Sequence, residues 1–139
     1  RILLAHGANG RGDIYITQTD VREFQLGKAA VQTAIVMVLQ EMGIRLDQID
    51  RFLVAGAFGN HLNIHDAMTL GMLPQMPLEK VFFIGNSSLE GARCVLLNRY
   101  ERRRAERIAE EANFVELATR PEFQDRFAMS TMLMPAMDM

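Results

Sequence analysis

Cysteine occurs once in the 139 residues, at Cys94, so the chain closes no internal disulfide and supplies too few thiolates for an iron–sulfur cluster or a cysteine-rich zinc site. A reducing, cytoplasmic compartment fits that usage. No apolar run approaches the roughly 20 residues a membrane-spanning helix needs. The start carries no signal-peptide pattern, because Arg1 to Ala5 passes at once into polar, glycine-rich sequence. Fifteen Lys and Arg against seventeen Asp and Glu leave a net charge of −2, and no basic stretch alternates with aromatics. Nucleic-acid binding therefore has no electrostatic footprint. A Walker-type phosphate loop, a G-x-G-x-x-G fingerprint and a G-x-S-x-G nucleophile elbow are all missing. There is no internal repeat and no low-complexity tract. The chain opens at Arg1, directly on a strand-like run, as expected of a piece of a longer polypeptide.

What is present is one domain's worth of core-forming sequence, 49% hydrophobic and 23% charged. Its organising stretch is Phe52 to Asn60, F-L-V-A-G-A-F-G-N. A short apolar run ending in Gly56-Ala57-Phe58-Gly59 has the pattern of a buried parallel strand that opens into a tight turn. Ligands of open α/β sheets collect beyond such strand ends, and glycines there admit positive φ and close backbone approach. Val81 to Ile84, followed by Gly85-Asn86-Ser87-Ser88, repeats the arrangement. If the two strands are neighbours, both turns open on one edge, where helix-start N–H groups can meet polar or anionic ligand groups.

The remaining chain supplies the layers. Ile2–Ala5 and Ile14–Thr17 flank His6 to Asp13, whose three glycines, Asn and Asp predict a hairpin loop. The tripeptide Arg11-Gly12-Asp13 is read as turn chemistry. Asp20 with Glu23 suggests a capping box for a helix from Val21 to Met42, stopped by Gly43. Phe24, Val31, Ile35, Val38 and Met42 share a stripe on it, and the run from Ala29 to Leu39 is apolar nearly all round, as in a helix buried on more than one side. Leu46 to Ile49 reads as a helical turn. Asn63 is positioned to cap a short helix over Ile64–Leu70, closed by Gly71 and Pro74. His61 and His65 have ligand spacing, but an Asn63 cap would leave His61 outside the helix, so no metal site is expected. Ser87 with Glu90 predicts a second capping box and one helix to about Ala112, core-like from Ala92 to Leu97 and charged from Glu101 to Arg107. Phe114–Leu117 looks extended, and Pro121 begins a short helix with Phe123 and Phe127 on one side. The final segment, Met129 to Met139, holds five of the ten methionines; it either covers the core or makes a contact elsewhere. The order strand, strand, long helix, strand, short helix, strand, long helix implies an α/β fold, with a leading hairpin on a small mixed sheet and two strand–helix crossover units.

Four motifs occur together and in order: Ile16 to Ala30 (I-T-Q-T-D-V-R-E-F-Q-L-G-K-A-A), Val54 to Asn60, Leu70 to Pro74, and Ile84 to Ala92 (I-G-N-S-S-L-E-G-A). With the ending Pro121-Glu122-Phe123…Phe127, they resemble the carboxyl-terminal region of the reductive activators of corrinoid iron–sulfur proteins, over nearly the whole chain. The resemblance implies half of an actin-like (ribonuclease H-like) ATPase over residues 1–139, with 113–139 as a C-terminal extension on or beside it. It implies a full-length protein with an amino-terminal plant-type 2Fe–2S ferredoxin domain, in which ATP with Mg2+ drives electron transfer to the Co(II) corrinoid of a methyltransferase-system partner. A homodimer is implied too. On that likeness Gly56, Ala57, Phe58, Gly59 and Asn60 would form the adenosine-binding turn. Gln25 and Lys28 would lie where nucleoside contacts are made, and Gly85 and Asn86 would begin the segment connecting back toward the hinge. The phosphate-binding turns of that superfamily lie earlier in its sequences, so this chain alone is expected not to turn over ATP. Two other readings stand beside this one: a non-catalytic interaction or dimerisation module, and half of a small-metabolite kinase.

Overall fold

A computed structural model describes residues 1–7, 12–57 and 59–135. The order is β1 (Ile2–Ala5), β2 (Ile14–Ile16), α1 (Gln18–Glu41), β3 (Phe52–Ala55), α2 (Ile64–Thr69), β4 (Val81–Gly85), α3 (Ser87–Leu97), α4 (Arg99–Glu111) and α5 (Phe123–Ser130). One-turn 3-10 helices at Leu46–Gln48, Gly59–His61 and Leu78–Lys80 join the larger elements.

The strands form two small sheets. β1 and β2 make an antiparallel hairpin, and β3 pairs with β4 in parallel. The hairpin does not extend the parallel pair, because α1 leaves it directly and its own residues are exposed on both faces. Its ends are held locally. Asp13 accepts from the Gly7 amide at 2.9 Å and from the Tyr15 hydroxyl at 3.2 Å, and the Arg1 guanidinium lies 4.5 Å from the Tyr15 ring centroid. Asp13 is thus a turn former. Arg11, in the same tripeptide, lies outside the described residues.

α1 begins three residues before the position expected from Asp20–Glu23. The N-cap is Thr17, whose hydroxyl accepts from the Asp20 amide at 3.2 Å while the Asp20 carboxylate accepts from the Thr17 amide at 2.7 Å. Asp20 therefore closes the box from the N3 position instead of opening it. The helix ends where expected, with Gly43 at φ +62. Its buried stripe differs from the expected one. Lys28, Ala29, Thr33, Val36 and Met37 are buried, whereas Phe24, Val31 and Met42 are 38%, 41% and 63% exposed. Small side chains at Ala29 and Thr33 let α5 lie close, while the large apolar residues face surfaces that nothing in the described chain covers.

Two layers meet α1. α5 packs along the buried stripe, with Phe123 and Phe127 stacked at 5.8 Å between ring centroids. On another side Ile35 joins a compact core of Ala67, Met68, Met72 and Leu73, bordered by Phe52, Leu62, Ile64, Met76 and Val81. α1 is thus sandwiched between a helix and the α2 core, which is what its broad apolarity requires. Arg120 pairs with Glu41 at 2.8 Å, setting a cation beside the C-terminal end of α1, whose last turn has no basic residue.

The single helix expected over residues 87–112 is two helices. The break is at Asn98, whose backbone is extended and whose side chain accepts from the Tyr100 amide at 2.8 Å, capping α4. The Ala92–Leu97 segment is not core. Leu96 and Leu97 are 76% and 73% exposed, because α3 packs mainly on α4. Arg104–Glu101, in the charged segment, and Arg93–Glu90, on α3, make i,i+3 pairs. Residues 114–117 are irregular, with no strand partner. No helix among the described residues is long and apolar enough to cross a membrane.

Replacing Thr17 with Ala should destabilise the chain by about 1 kcal/mol in urea unfolding, since it removes the hydroxyl that satisfies a helix-start amide. Hydrogen bonds from Thr17 hold the Asp20 carboxyl below its ordinary value. The contribution tied to that charge is present above the unfolded value and is lost as pH falls below about 4. Thr17→Ala should flatten the acid limb of the stability–pH curve.

Candidate functional site

β3 and β4 run in register from Phe52–Val81 to Val54–Phe83, then slip so that Ala55 faces Gly85. Ile84 is the extra residue of a bulge on β4. The pairing continues one step further, where the Gly56 amide donates to the Gly85 carbonyl at 2.7 Å. The two glycine turns are consequently adjacent on one edge, because β3 and β4 are neighbours, the condition the sequence left open. Gly56 has φ +90 and Gly85 φ +63. A Cβ on either would meet no atom of the described residues within 4 Å. Substitution there is strained by the backbone, not blocked by neighbours.

Gly59 serves another need. A Cβ there would lie 2.7 Å from Cγ1 of Val54, so its lack of a side chain lets the 3-10 turn Gly59–His61 sit against the sheet. Ala57, between the glycines, is exposed. Phe58 lies outside the described residues, and Asn60 belongs to the 3-10 turn. Asn86 is the N-cap of α3, its side-chain oxygen accepting from the Leu89 amide at 3.0 Å, in place of the Ser87 box expected from the sequence. Its side chain is therefore committed to the helix start, and what it presents to the glycine edge is backbone.

Gln25 and Lys28 form a second group. Gln25 Nε2 donates to the Thr131 carbonyl at 2.9 Å. Lys28 Nζ donates to the Met132 carbonyl and to Gln32 Oε1, the latter at 3.3 Å. Thr131 and Met132 follow the last turn of α5, so the two side chains cap the carbonyl end of that helix, where a cation is favoured. Lys28 is 1% exposed, and burial lowers its pKa. Thr33 lies in the same contact, fully buried, with its hydroxyl 3.2 Å from that of Ser130. No hydrogen bond among the described residues joins this group to the glycine edge. The Met-rich ending is a cover, at least to Pro135. Met134 passes so close to Gly71 that a Cβ there would strike its carbonyl oxygen.

A half-open groove of about 360 Å³ is bounded by α1 residues such as Thr33 and Val36, by Arg126 of α5 and by Met132 of the segment that follows it. The glycine edge is an open shelf. Asn63 caps α2 through the Asp66 amide, leaving His61 in the preceding turn and His65 inside the helix, as the sequence pattern implied. Among the described residues no cluster of three His, Cys, Asp or Glu side chains could hold a metal ion.

The whole chain, residues 1–139, matches the family described as the C-terminal domain of RACo, the ASKHA domain. The chain belongs to that family. Its resemblance extends to individual relatives. It is 37% identical over 131 residues, 94% of this chain, to the corrinoid activation enzyme RamQ of Eubacterium limosum. It is 31% identical over 86 residues, 62% of this chain, to the Co(II) methylated amine-specific corrinoid protein reductase of Methanosarcina barkeri. A solved reductive activator for corrinoid, iron–sulfur protein superposes with a TM-score of 0.81 over 88% of this chain at 37% identity. These matches cover 22%, 16% and 19% of the relatives, so the chain spans about a fifth of their length. The α/β architecture agrees with the ASKHA family placement.

The sequence did not single out the bulge at Ile84 or the fit of Gly59 on Val54. The first has no residue signature beyond a strand one residue longer than its partner. The second depends on which β3 side chain faces the turn. Gly59→Ala should cost about 1–3 kcal/mol by overpacking. Trimming the neighbour should relieve the clash, so that Val54→Ala/Gly59→Ala is less destabilised in denaturant titrations than the sum of the single changes.

Proposed function

We propose that this ASKHA-family chain is the nucleotide-binding half of an ATP-dependent reductive activator, which helps drive one electron to the Co(II) corrinoid of a methyltransferase-system protein and so regenerates Co(I). The corrinoid part of this reading is supported by the names of the relatives, a corrinoid activation enzyme and a corrinoid protein reductase. The nucleotide part is carried by one observation. The Gly56 amide is bonded to the Gly85 carbonyl, which fixes two left-handed glycines side by side with open space in front of both. A flat purine or ribose face can approach such backbone closely, because no Cβ stands in the way.

In this reading Gly56 to Asn60 and Gly85–Asn86 would hold the adenosine, with Gln25 and Lys28 as nucleoside contacts from α1. Bound ATP with Mg2+ would supply the free energy of phosphoryl transfer. The chain's own part is to bind and orient the nucleoside end, because no glycine-rich phosphate loop occurs in its sequence. A 2Fe–2S cluster does not fit this chain, whose only cysteine is the exposed Cys94. A homodimer and a cytoplasmic location belong to the same proposal.

A second reading, a non-catalytic interaction module, is favoured by the engagement of Gln25 and Lys28 with the chain's own C-terminal carbonyls.

Calorimetric titration of the natural full-length polypeptide with ATP, paired with a phosphate-release assay, separates the two readings. The activator reading requires ATP binding that Gly56→Val abolishes without unfolding the protein. It also requires negligible phosphate release from the isolated 139-residue chain. Unchanged affinity in the Gly56→Val protein removes this edge from the site.

A further inference from the structure

The Ser130–Pro135 segment is held by polar contacts and by partial apolar cover. Met132, Leu133 and Met134 are 56%, 44% and 41% exposed, so none of the three is fully buried, and a half-open groove of about 360 Å³ remains between the segment and α1. What fastens it is a pair of side-chain donors, Gln25 to the Thr131 carbonyl and Lys28 to the Met132 carbonyl, along with the close passage of Met134 over Gly71. A segment whose apolar side chains are only partly covered opens at a lower free-energy cost than the packed core.

The fastening lysine meets no charged partner among the described residues. Its ammonium is nearly sealed from water, yet its hydrogen-bond partners among the described residues are two neutral oxygens, the Met132 carbonyl and the Gln32 amide. A buried cation gains more from an anionic or hydroxyl-rich partner than from a carbonyl.

We propose that the Ser130–Pro135 strap is an autoinhibitory contact, in which the carbonyls of Thr131 and Met132 occupy the positions on Gln25 and Lys28 that a bound nucleotide takes. Strap docking and nucleotide binding at α1 then exclude each other. ATP binding releases the end of α5, and an event that lifts the strap raises nucleotide affinity. This rests on the nucleotide reading above and adds the regulation of that site.

The test is hydrogen exchange of the Thr131–Leu133 amides in the natural full-length polypeptide, with and without saturating ATP and magnesium, alongside ATP affinity. Exchange at these amides should accelerate when ATP binds. Deleting everything after Ser130 should tighten ATP binding about tenfold if the open state is about a tenth populated in the intact protein. Lys28→Met should speed exchange at the strap without ATP and also weaken ATP binding. ATP binding with the strap amides equally protected, and affinity unchanged by the deletion, overturns the strap proposal and leaves the nucleotide reading intact. Absence of ATP binding in both the intact and the shortened proteins overturns the nucleotide reading, and the strap proposal with it.

Discussion

The hydrogen bond from the Gly56 amide to the Gly85 carbonyl extends the β3–β4 ladder past the end of β3, and the candidate site depends on it. Two parallel strands this short would leave their exits free to diverge. The bulge at Ile84 brings Gly85 opposite Ala55, and the added bond pins the two turns to each other. Each glycine leaves its strand with a left-handed backbone, and a Cβ on either would meet none of the described residues. The consequence is a continuous backbone shelf at the edge of a sheet, flanked by the start of α3.

α1 does the equivalent work for the rest of the molecule. Ala29, Thr33, Val36 and Met37 receive α5, while Ile35 reaches the core around Met68 and Leu73. The helix thereby couples the C-terminal segment to the layer that supports β3 and β4. Lys28 sits on the buried stripe because its cation meets the carbonyl end of α5, which offsets part of the cost of taking an ammonium out of water.

Elements whose signals are local were legible from residues alone. Gly43, Gly71 and the Asn63 cap stand where the pattern put them, and β3 and β4 follow from short apolar runs stopped by glycine, although neither strand is buried as expected, with Leu53, Phe82, Phe83 and Ile84 exposed. The adjacency of the glycine turns rested on the two strands being neighbours, which their pairing supplied. The errors fall where two candidate signals competed. Thr17 and Asp20 both could open α1, and the hydroxyl prevailed because Asp20 could then close the box from N3. Asn86 displaced Ser87 in the same manner. Asn98 looked like one polar residue in a helical run, yet its side chain offered the next helix a cap, and the long helix split there.

The sequence by itself determined the α/β order, the glycine-stopped strands and, through four motifs in register, membership of the ASKHA family of corrinoid activators' C-terminal domains. Those properties depend on neighbours along the chain: propensity, capping and turn chemistry act over three or four residues. Which face of α1 is buried, that the hairpin stands apart from the parallel pair, and that Gln25 and Lys28 meet carbonyls more than a hundred positions away were decided by the tertiary structure. Burial is a property of what arrives to cover a surface. Large apolar side chains at Phe24, Leu96 and Leu97 stay exposed when nothing in the described chain reaches them, whereas a lysine is buried when a helix end lies over it.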